Sequence, residues 1–303
     1  MTEGPLFNKT RIAPTPSGFL HLGNVLSFAI TAAIAKKTKA KIFLRIDDLD
    51  RERINDRYVQ DIFDTLNFLE IPWDEGPRNF AEYASEYSQL HRMDLYRSAL
   101  KQLREQGELF ACTCSRTQMY ANSPGVAYPG TCRDRHIPFD TERVKWRVRT
   151  PAATQIALKT LEGTIIESAL PAIMRDFFVK KKDGFPAYQL TSVLDDVYFG
   201  IDLVVRGEDL WPSTWAQLYL AGLLGADAFR RATFYHHLLL NGPDGNKLSK
   251  SAGSTSVQYL RKEHKKPADI FQLVAGAMGF ERPVTNWEEL VELMNIKLHS
   301  GKL

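Results

Sequence analysis

The sequence has no long hydrophobic run and no N-terminal targeting pattern among its 303 residues. A membrane-spanning helix needs roughly eighteen consecutive apolar residues, and no stretch approaches that length. The N-terminus also lacks the charged and then apolar order of a signal peptide. We therefore expect a chain that stays in the cytoplasm and has no membrane partner.

Cysteine is scarce, and neither sign of charge dominates. The three cysteines are an odd number for a disulfide framework, so thiols used as ligands in a reducing compartment fit better. The net charge of +3 is compatible with a nucleic-acid partner but does not indicate one, and a basic arm is absent. With 44% hydrophobic and 25% charged residues, the chain is long enough for a large core and two or three subdomains.

A strand, a loop, a helix and a second strand are predicted near the N-terminus. Residues 11–24 read RIAPTPSGFLHLGN, a helical pattern follows over Val25–Lys37, and Ile42–Leu44 is strand-like. The loop opens onto a helix N-terminus, where free N–H groups and the helix dipole favour an anion. His21 lies in or beside the first helical turn, and Gly23 removes a side chain where a flat base could lie.

A second stretch, residues 246–251, reads NKLSKS within a run rich in Gly, Asn and Ser. Lys247 and Lys250 are three residues apart on small-residue backbone and could close over a polyphosphate. The alternative for such a lysine pair is a solvated loop without a ligand.

Together the two stretches resemble the paired signatures of class I aminoacyl-tRNA synthetases. The residues HLGN at 21–24 match the first signature, usually HIGH, and KLSKS at 247–251 matches the second, usually KMSKS. The preceding RIAPTPSG is similar to the glutamyl branch, and the likeness runs from about residue 9 to about 280. The family implies ATP-dependent activation of L-glutamate, with Mg²⁺ accompanying ATP. It implies catalytic roles for His21, Lys247 and Lys250, and ATP contacts from His21, Gly23, Asn24, Leu238, Lys247 and Lys250.

The glutamate pocket is predicted at the carboxyl ends of strands, where ligands of open α/β sheets gather. Asp47 follows a buried strand, on the same face as Arg45, and stands where the family usually has a Glu that holds the substrate amino group. Tyr188 and Arg206 are eighteen residues apart, as in the family pocket, and the alternative for Arg206 is an ion pair with Glu208 or Asp209. The resemblance implies a glutamate site formed by Arg11, Ala13, Thr15, Asp47, Tyr188 and Arg206.

Two neighbouring acids, Asp48 and Asp50, are expected to cap the next helix instead of binding a ligand. The histidines at 236 and 237 are expected to be packing residues.

Lys180–Lys182 form the basic tip of a predicted hairpin, which is either solvated or in contact with RNA phosphate.

The cysteines suggest a metal site. Cys112 and Cys114 fall on one face of a predicted strand, and Cys132 follows after a short helix. Three thiolates suit zinc but leave one tetrahedral position, for which His136 is the generic candidate. The spacing also resembles the zinc knuckle of short glutamyl synthetase paralogues, which implies Tyr128 as the fourth ligand. One structural Zn²⁺ is the interpretation, and three buried thiols without a metal are the alternative.

The expected fold class is α/β, with the Rossmann-like parallel sheet of class I synthetases, a zinc-containing insertion and a C-terminal helical region. We divide the chain into a first catalytic half (1–108), an inserted zinc-binding subdomain (109–172), a second catalytic half (173–240) and a lysine loop with helices (241–303). No anticodon-binding domain is expected after these segments.

The length resembles the short paralogues of the glutamyl branch, which attach glutamate to the base queuosine in the anticodon loop of tRNA(Asp). That implies an ester-forming ligase whose partners are ATP, L-glutamate and tRNA(Asp) carrying queuosine, acting as a monomer. The alternatives are a discrete glutamate–tRNA ligase that charges an acceptor end, and a catalytically silent paralogue that binds tRNA.

Overall fold

The computed structural model describes residues 7–115, 127–240 and 256–294. The strands are β1 (Lys9–Ile12), β2 (Lys41–Leu44), β3 (Leu109–Cys112), β4 (Lys145–Val148), β5 (Ile156–Thr160), β6 (Ile165–Ser168), β7 (Phe178–Lys180), β8 (Leu203–Gly207) and β9 (Thr233–His237). The helices are α1 (Leu22–Thr38), α2 (Asp56–Phe68), α3 (Phe80–Glu82), α4 (Met93–Glu105), α5 (Tyr188–Tyr198), α6 (Trp211–Leu224), α7 (Asp227–Arg230), α8 (Val257–Lys262), α9 (Pro267–Ala277) and α10 (Trp287–Leu293). None of the helices in these ranges has the length and apolarity needed to cross a membrane.

The catalytic layer is a parallel sheet. β1 pairs with β2, and β9 pairs with both β8 and β5, in each case in parallel. β1 lies beside β8, because the backbone N–H of Asp202 donates to Lys9 O at 3.1 Å while the Asp202 carboxylate accepts the Lys9 N–H at 2.9 Å. The predicted α/β fold with a parallel sheet is confirmed.

Helix α1 is the crossover between β1 and β2, and it is apolar on nearly all sides. Eleven of its 17 residues are buried, and Val25, Ala29 and Ile30 are fully inaccessible. It packs against β1, β8, α9 and α10, so the helical C-terminal region covers the outer side of α1. A helix that is hydrophobic all round belongs in the interior of a domain.

The insertion has its own antiparallel sheet, with β4 between β3 and β7. The strand pairing runs across the predicted boundary at residue 172. β7 joins β3 and β4, whereas the hairpin of β5 and β6 extends the catalytic sheet through β9. The division into four segments stays a prediction, but the pairing of β4 with β7 crosses the boundary predicted at residue 172.

The acids at 48 and 50 do not cap α2, so that prediction is wrong. The N-cap is Asn55, whose side chain accepts the Arg57 N–H at 3.0 Å. Asp48 is fully buried and instead accepts hydrogen bonds from the Tyr83 hydroxyl at 2.7 Å and from the Gln89 N–H at 2.9 Å. It therefore ties the end of β2 to the turn before α4.

Candidate active site

A cleft of about 280 Å³ opens where β1 and β8 end and α1 begins. Every predicted substrate residue that the structure describes lines it, namely Arg11, Ala13, Thr15, His21, Gly23, Asn24, Asp47, Tyr188, Arg206 and Leu238. Lys247 and Lys250 lie outside the described residues. The fold therefore brings together side chains that are up to 227 positions apart, from Arg11 to Leu238. Their individual roles stay predictions.

His21 is the N-cap of α1. The ring nitrogen Nδ1 of His21 accepts the Gly23 N–H at 3.1 Å. The backbone N–H of His21 donates to Asn24 Oδ1 at 3.0 Å, which completes a capping box. Because Nδ1 is the acceptor, a neutral ring carries its proton on Nε2, and that N–H is a donor. A Cβ on Gly23 would lie 3.0 Å from His21 Cε1, so glycine makes room for the imidazole.

The floor of the cleft is a buried cluster of charges. Arg45 holds Asp47 through two hydrogen bonds, at 2.7 and 3.1 Å, and reaches Asp196 Oδ1 at 2.6 Å. Arg11 donates to the same Asp196 oxygen at 3.2 Å and to Val205 O at 2.9 Å. Asp196 therefore joins two guanidinium groups behind the cleft.

Asp47 is already engaged by the protein. Burial raises the pKa of Asp47 above its ordinary value, and this effect outweighs the opposing influence of Arg45. Arg45 and Asp47 are two residues apart and face the same way, as the alternation predicts. To hold a substrate amino group as predicted, the Asp47 carboxylate would have to bind that group while it keeps its hydrogen bonds to Arg45.

Arg206 contrasts with the other two arginines, because its partners are neutral. It is 4% exposed and donates to Gln217 Oε1 at 2.8 Å and to Thr214 Oγ1 at 2.7 Å. The Tyr188 hydroxyl is 3.5 Å from Arg206 Nη1. In the described part of the chain no carboxylate forms an ion pair with Arg206, so the alternative of a pair with Glu208 or Asp209 is not observed. Burial, followed by the field of Arg11, lowers the pKa of Arg206.

The three arginines at the cleft differ in their hydrogen-bond partners. Arg11 and Arg45 bind the carboxylates of Asp196 and Asp47, and Asp209 also lines the cleft. Among the described residues, Arg206 has no carboxylate as a hydrogen-bond partner. A buried cation in this state strongly favours an anionic ligand, ideally a carboxylate that meets the planar guanidinium with two oxygens.

The two histidines at the end of β9, His236 and His237, form hydrogen bonds within the protein, as expected of packing residues. His236 shares a hydrogen bond of 2.7 Å with Thr214 Oγ1, and burial together with Arg206 lowers its pKa to about 3. His237 is 4% exposed and contributes to the wall of the cleft. Leu238 follows with 67% of its surface exposed at the rim, where the predicted ATP contact would lie.

The lysines at the hairpin tip are not fully solvated. Lys181 Nζ donates to Leu49 O at 2.8 Å, and Lys182 Nζ donates to Thr113 O at 2.6 Å. Lys180 Nζ lies 4.3 Å from the centre of the Trp146 ring. The three ammonium groups therefore contact the insertion and the loop after β2, so the fully solvated alternative is not observed, while contact with RNA phosphate stays a prediction.

The cysteine cluster consists of Cys112, Cys114 and Cys132, whose buried sulfur atoms all lie within 4.8 Å of one another. Cys114 Sγ and Cys132 Sγ are 3.5 Å apart, near the roughly 3.8 Å expected between two sulfurs of a zinc tetrahedron. The Tyr128 hydroxyl is 3.4 Å from Cys112 Sγ and accepts the Cys132 N–H at 2.8 Å. His136 is exposed and does not belong to the cluster. These donors fit a metal ion.

The thiols of the cluster differ in acidity. Burial raises the pKa of Cys114 to about 11, together with its contact to Cys132. Burial also opposes ionisation of Cys132, but the Thr113 N–H and the neighbouring thiols stabilise its thiolate, so that its pKa falls to about 7. A cation bound among these sulfur atoms would favour their thiolate forms.

Sequence reasoning missed the residues that stand behind the cleft. Asp196, Thr214 and Gln217 bind the arginines but belong to no predicted motif themselves. One signal was present: Tyr188, Ser192 and Asp196 are spaced by four residues, which puts three polar groups on one face of α5. For Thr214 and Gln217 on the apolar helix α6, nothing in the pattern of the sequence pointed to Arg206.

Comparison with known proteins gives one family. The model of the catalytic domain of class I tRNA synthetases (E and Q) matches residues 8–297. A protein of Symbiobacterium thermophilum named glutamyl-Q tRNA(Asp) synthetase is 34% identical over 94% of this chain and 92% of its own length. Glutamate–tRNA ligase 2 of Syntrophus aciditrophicus is 32% identical over 95% of this chain, which spans only 61% of that ligase.

The fold agrees with these matches. The crystal structure of the glutamate–tRNA synthetase from Elizabethkingia anophelis superposes with a TM-score of 0.74, at 22% identity, over 97% of this chain and 67% of that one. At this identity the likeness supports the architecture alone. The family model, however, covers nearly the whole sequence, and the protein belongs to the class I tRNA synthetases of the E and Q type, a family of ligases, as its two signatures predicted.

Proposed function

We propose that this protein uses ATP to activate L-glutamate and transfers the glutamyl group to queuosine in the anticodon loop of tRNA(Asp). The observation that carries the amino acid assignment is the buried Arg206, whose hydrogen-bond partners are neutral. The side-chain carboxylate of glutamate would give Arg206 a negatively charged partner. Glutamine would leave the guanidinium with an amide, which pairs with it poorly.

The first step needs positioning and stabilisation of charge instead of a protein nucleophile. An oxygen of the glutamate α-carboxylate attacks the α-phosphorus of ATP, the bond to the bridging oxygen of the β-phosphate breaks, and pyrophosphate leaves. Mg²⁺ bound with ATP would offset the charge of the phosphates. His21 at the start of α1 supplies an N–H donor for the phosphates. Lys247 and Lys250 would add positive charge from the second signature, which lies outside the described residues.

The acceptor assignment is supported by the similarity to the protein named glutamyl-Q tRNA(Asp) synthetase, at 34% identity over 92% of that protein's length. Queuosine has a cyclopentene diol that resembles the diol of a terminal ribose. One adenylate site could therefore serve the modified base, with the exposed loop nucleotide held by its edges and by stacking.

The second candidate is a glutamate–tRNA ligase that charges an ordinary acceptor end. The similarity to the Syntrophus ligase over 95% of this chain favours it. Both candidates share the activation step, so pyrophosphate exchange alone does not separate them.

The cysteine cluster is proposed to bind one structural Zn²⁺, with Tyr128 as the fourth ligand. Zinc would hold the insertion together by cross-linking β3 to the segment around Cys132. Three cysteines and a tyrosine would fill a tetrahedron, so no open position would remain for chemistry.

Transfer of labelled glutamate to three tRNA preparations tests the function. We expect label on tRNA from queuosine-replete cells, and equal label after enzymatic removal of the 3′-terminal adenosine. We expect none on tRNA from cells that cannot make queuosine. Label that requires the terminal adenosine and ignores queuosine would contradict the acceptor assignment and favour the glutamate–tRNA ligase.

A further inference from the structure

The guanidinium of Arg206 is held from behind by two residues of helix α6, and neither is charged. Gln217 Oε1 accepts from Nη1 at 2.8 Å, and Thr214 Oγ1 accepts from Nη2 at 2.7 Å. Both side chains are inaccessible to solvent. They stand on the side of Arg206 away from the cleft, because Arg206 lines the cleft and they do not.

Neutral acceptors orient a guanidinium without cancelling its charge. A carboxylate at the same place would orient it equally well, and would also satisfy its charge before any substrate arrived. The other two arginines of the floor have that arrangement, through Asp47 and Asp196. The choice between amide and carboxylate at position 217 therefore decides whether Arg206 has a negatively charged hydrogen-bond partner before substrate binds.

The orientation of the Gln217 amide is fixed by its partner. Its oxygen must face Arg206, since the amide nitrogen cannot accept a hydrogen bond from a guanidinium. The nitrogen, Nε2, is then buried without a partner among the described residues. An unpartnered buried donor costs stability. This cost indicates that the Gln217 side chain is oriented by its hydrogen bond to Arg206 and not by its other neighbours around α6.

We propose that Gln217 is a specificity-determining positioning residue, which presents Arg206 without a carboxylate partner and so selects an amino acid with a distal carboxylate over its amide. The proposal rests on the proposed function, because it assigns Arg206 to the glutamate side chain. Thr214 completes the neutral cradle: its hydroxyl accepts from Arg206 and can donate to Leu210 O at 3.1 Å.

The decisive variant is Gln217→Glu, which keeps the size and the acceptor and adds one negative charge. Pyrophosphate exchange is measured with glutamate and with glutamine over a range of concentrations. We expect KM for glutamate to rise on the order of 100-fold, because the new carboxylate competes for Arg206. We expect kcat to change much less, and the preference for glutamate over glutamine to fall by a similar factor.

Two control variants separate charge from packing. Gln217→Met has a similar volume and no charge, so it should raise KM for glutamate by less than about 10-fold while the preference over glutamine persists. Gln155→Glu adds the same charge at an exposed position before β5 and should leave both values unchanged. Thermal unfolding of all three variants verifies that they are folded.

The outcomes separate the proposed glutamate activation from the proposed role of Gln217. If the unmodified protein does not exchange pyrophosphate with glutamate, the proposed function itself is wrong. If it does, but Gln217→Glu keeps the KM and the preference of the unmodified protein, the role of Gln217 is refuted. Equal loss of preference in Gln217→Met and Gln217→Glu would also refute it, since packing alone would then explain the effect.

Discussion

At the scale of single residues, the first helical turn depends on the hydrogen atom that Gly23 has in place of a side chain. The His21 ring folds back over this glycine to cap α1, with Nδ1 3.1 Å from the Gly23 N–H. An added methyl group would meet ring atoms at 3.0 and 3.1 Å. Either the ring or the helix start must then move by a few tenths of an ångström.

We predict that Gly23→Ala lowers kcat/KM for glutamate-dependent pyrophosphate exchange by about 10- to 100-fold, because a small displacement of a positioned catalytic group is costly. Stability should change little, since the gain in helix propensity of about 1 kcal/mol offsets the crowding. Gly222→Ala is the matched control. A Cβ at Gly222 in α6 meets nothing within 4 Å, so that variant should be slightly stabilised and fully active. Unchanged exchange in Gly23→Ala would show that the His21 position is not critical.

At the scale of elements, the loop before α1 is clamped between two helices distant in sequence. Leu20 donates its N–H to Asp61 Oδ2 of α2 at 3.0 Å, and its carbonyl accepts from the Val257 N–H of α8 at 2.8 Å. Arg261 of α8 reaches Asp61 at 3.6 Å and closes the ring. The start of the first signature is thereby attached to the helix that follows the second.

We predict that Asp61→Ala lowers the free energy of unfolding by about 1–3 kcal/mol, because the buried Leu20 N–H loses its acceptor. Burial raises the pKa of Asp61 despite the Leu20 N–H and Arg261, so ionisation is disfavoured here and an uncharged oxygen should serve as well. Asp61→Asn should therefore stay within about 1 kcal/mol of the unmodified protein. Urea unfolding at pH 7 measures both, and an equal loss in the two variants would show that the charge matters and not the hydrogen bond.

Part of the arrangement of helices and strands was predictable from the sequence. The α/β fold and the C-terminal helical region were predicted, and the described cleft residues were named from the resemblance to the family. The clamp on Leu20 was not predictable, because a buried aspartate on a helix looks like any polar residue of a solvated face. The neutral partners of Arg206 were equally hidden, since hydrogen bonding between α6 and β8 depends on tertiary packing and leaves no periodic pattern.

At the scale of the whole molecule, the insertion has little core of its own near the cysteines. Its separate apolar cluster consists of Phe110 and the three cysteines, with Tyr128 and Ile137 packed against them. So small a cluster buries too little surface to hold a loop-rich segment without a cross-link. A metal ion among the thiols would provide that link.

We predict that Cys132→Ser reduces the zinc content from one ion per chain to none and makes the insertion unfold at lower temperature than the catalytic sheet. Glutamate activation should be little affected, because no residue of the cysteine cluster lines the cleft. Elemental analysis and thermal unfolding are the measurements. His136→Ala should keep its zinc and Tyr128→Phe should bind it more weakly. Loss of zinc from His136→Ala alone would reverse the choice of fourth ligand.

The contact between β1 and β8 also has a consequence in time. Lys9 and Asp202 meet across 193 positions of the chain, and the floor of the cleft needs arginines from both strands. A ribosome adding about 5–20 residues per second takes roughly 10–40 s to make that interval. During this time β1, β2 and α1 exist without the strand that completes their sheet, and closing so long a loop has a high entropic cost. The cleft is therefore among the last features to form during synthesis. Until β8 is made, the apolar helix α1 must avoid aggregation without the strand that covers it.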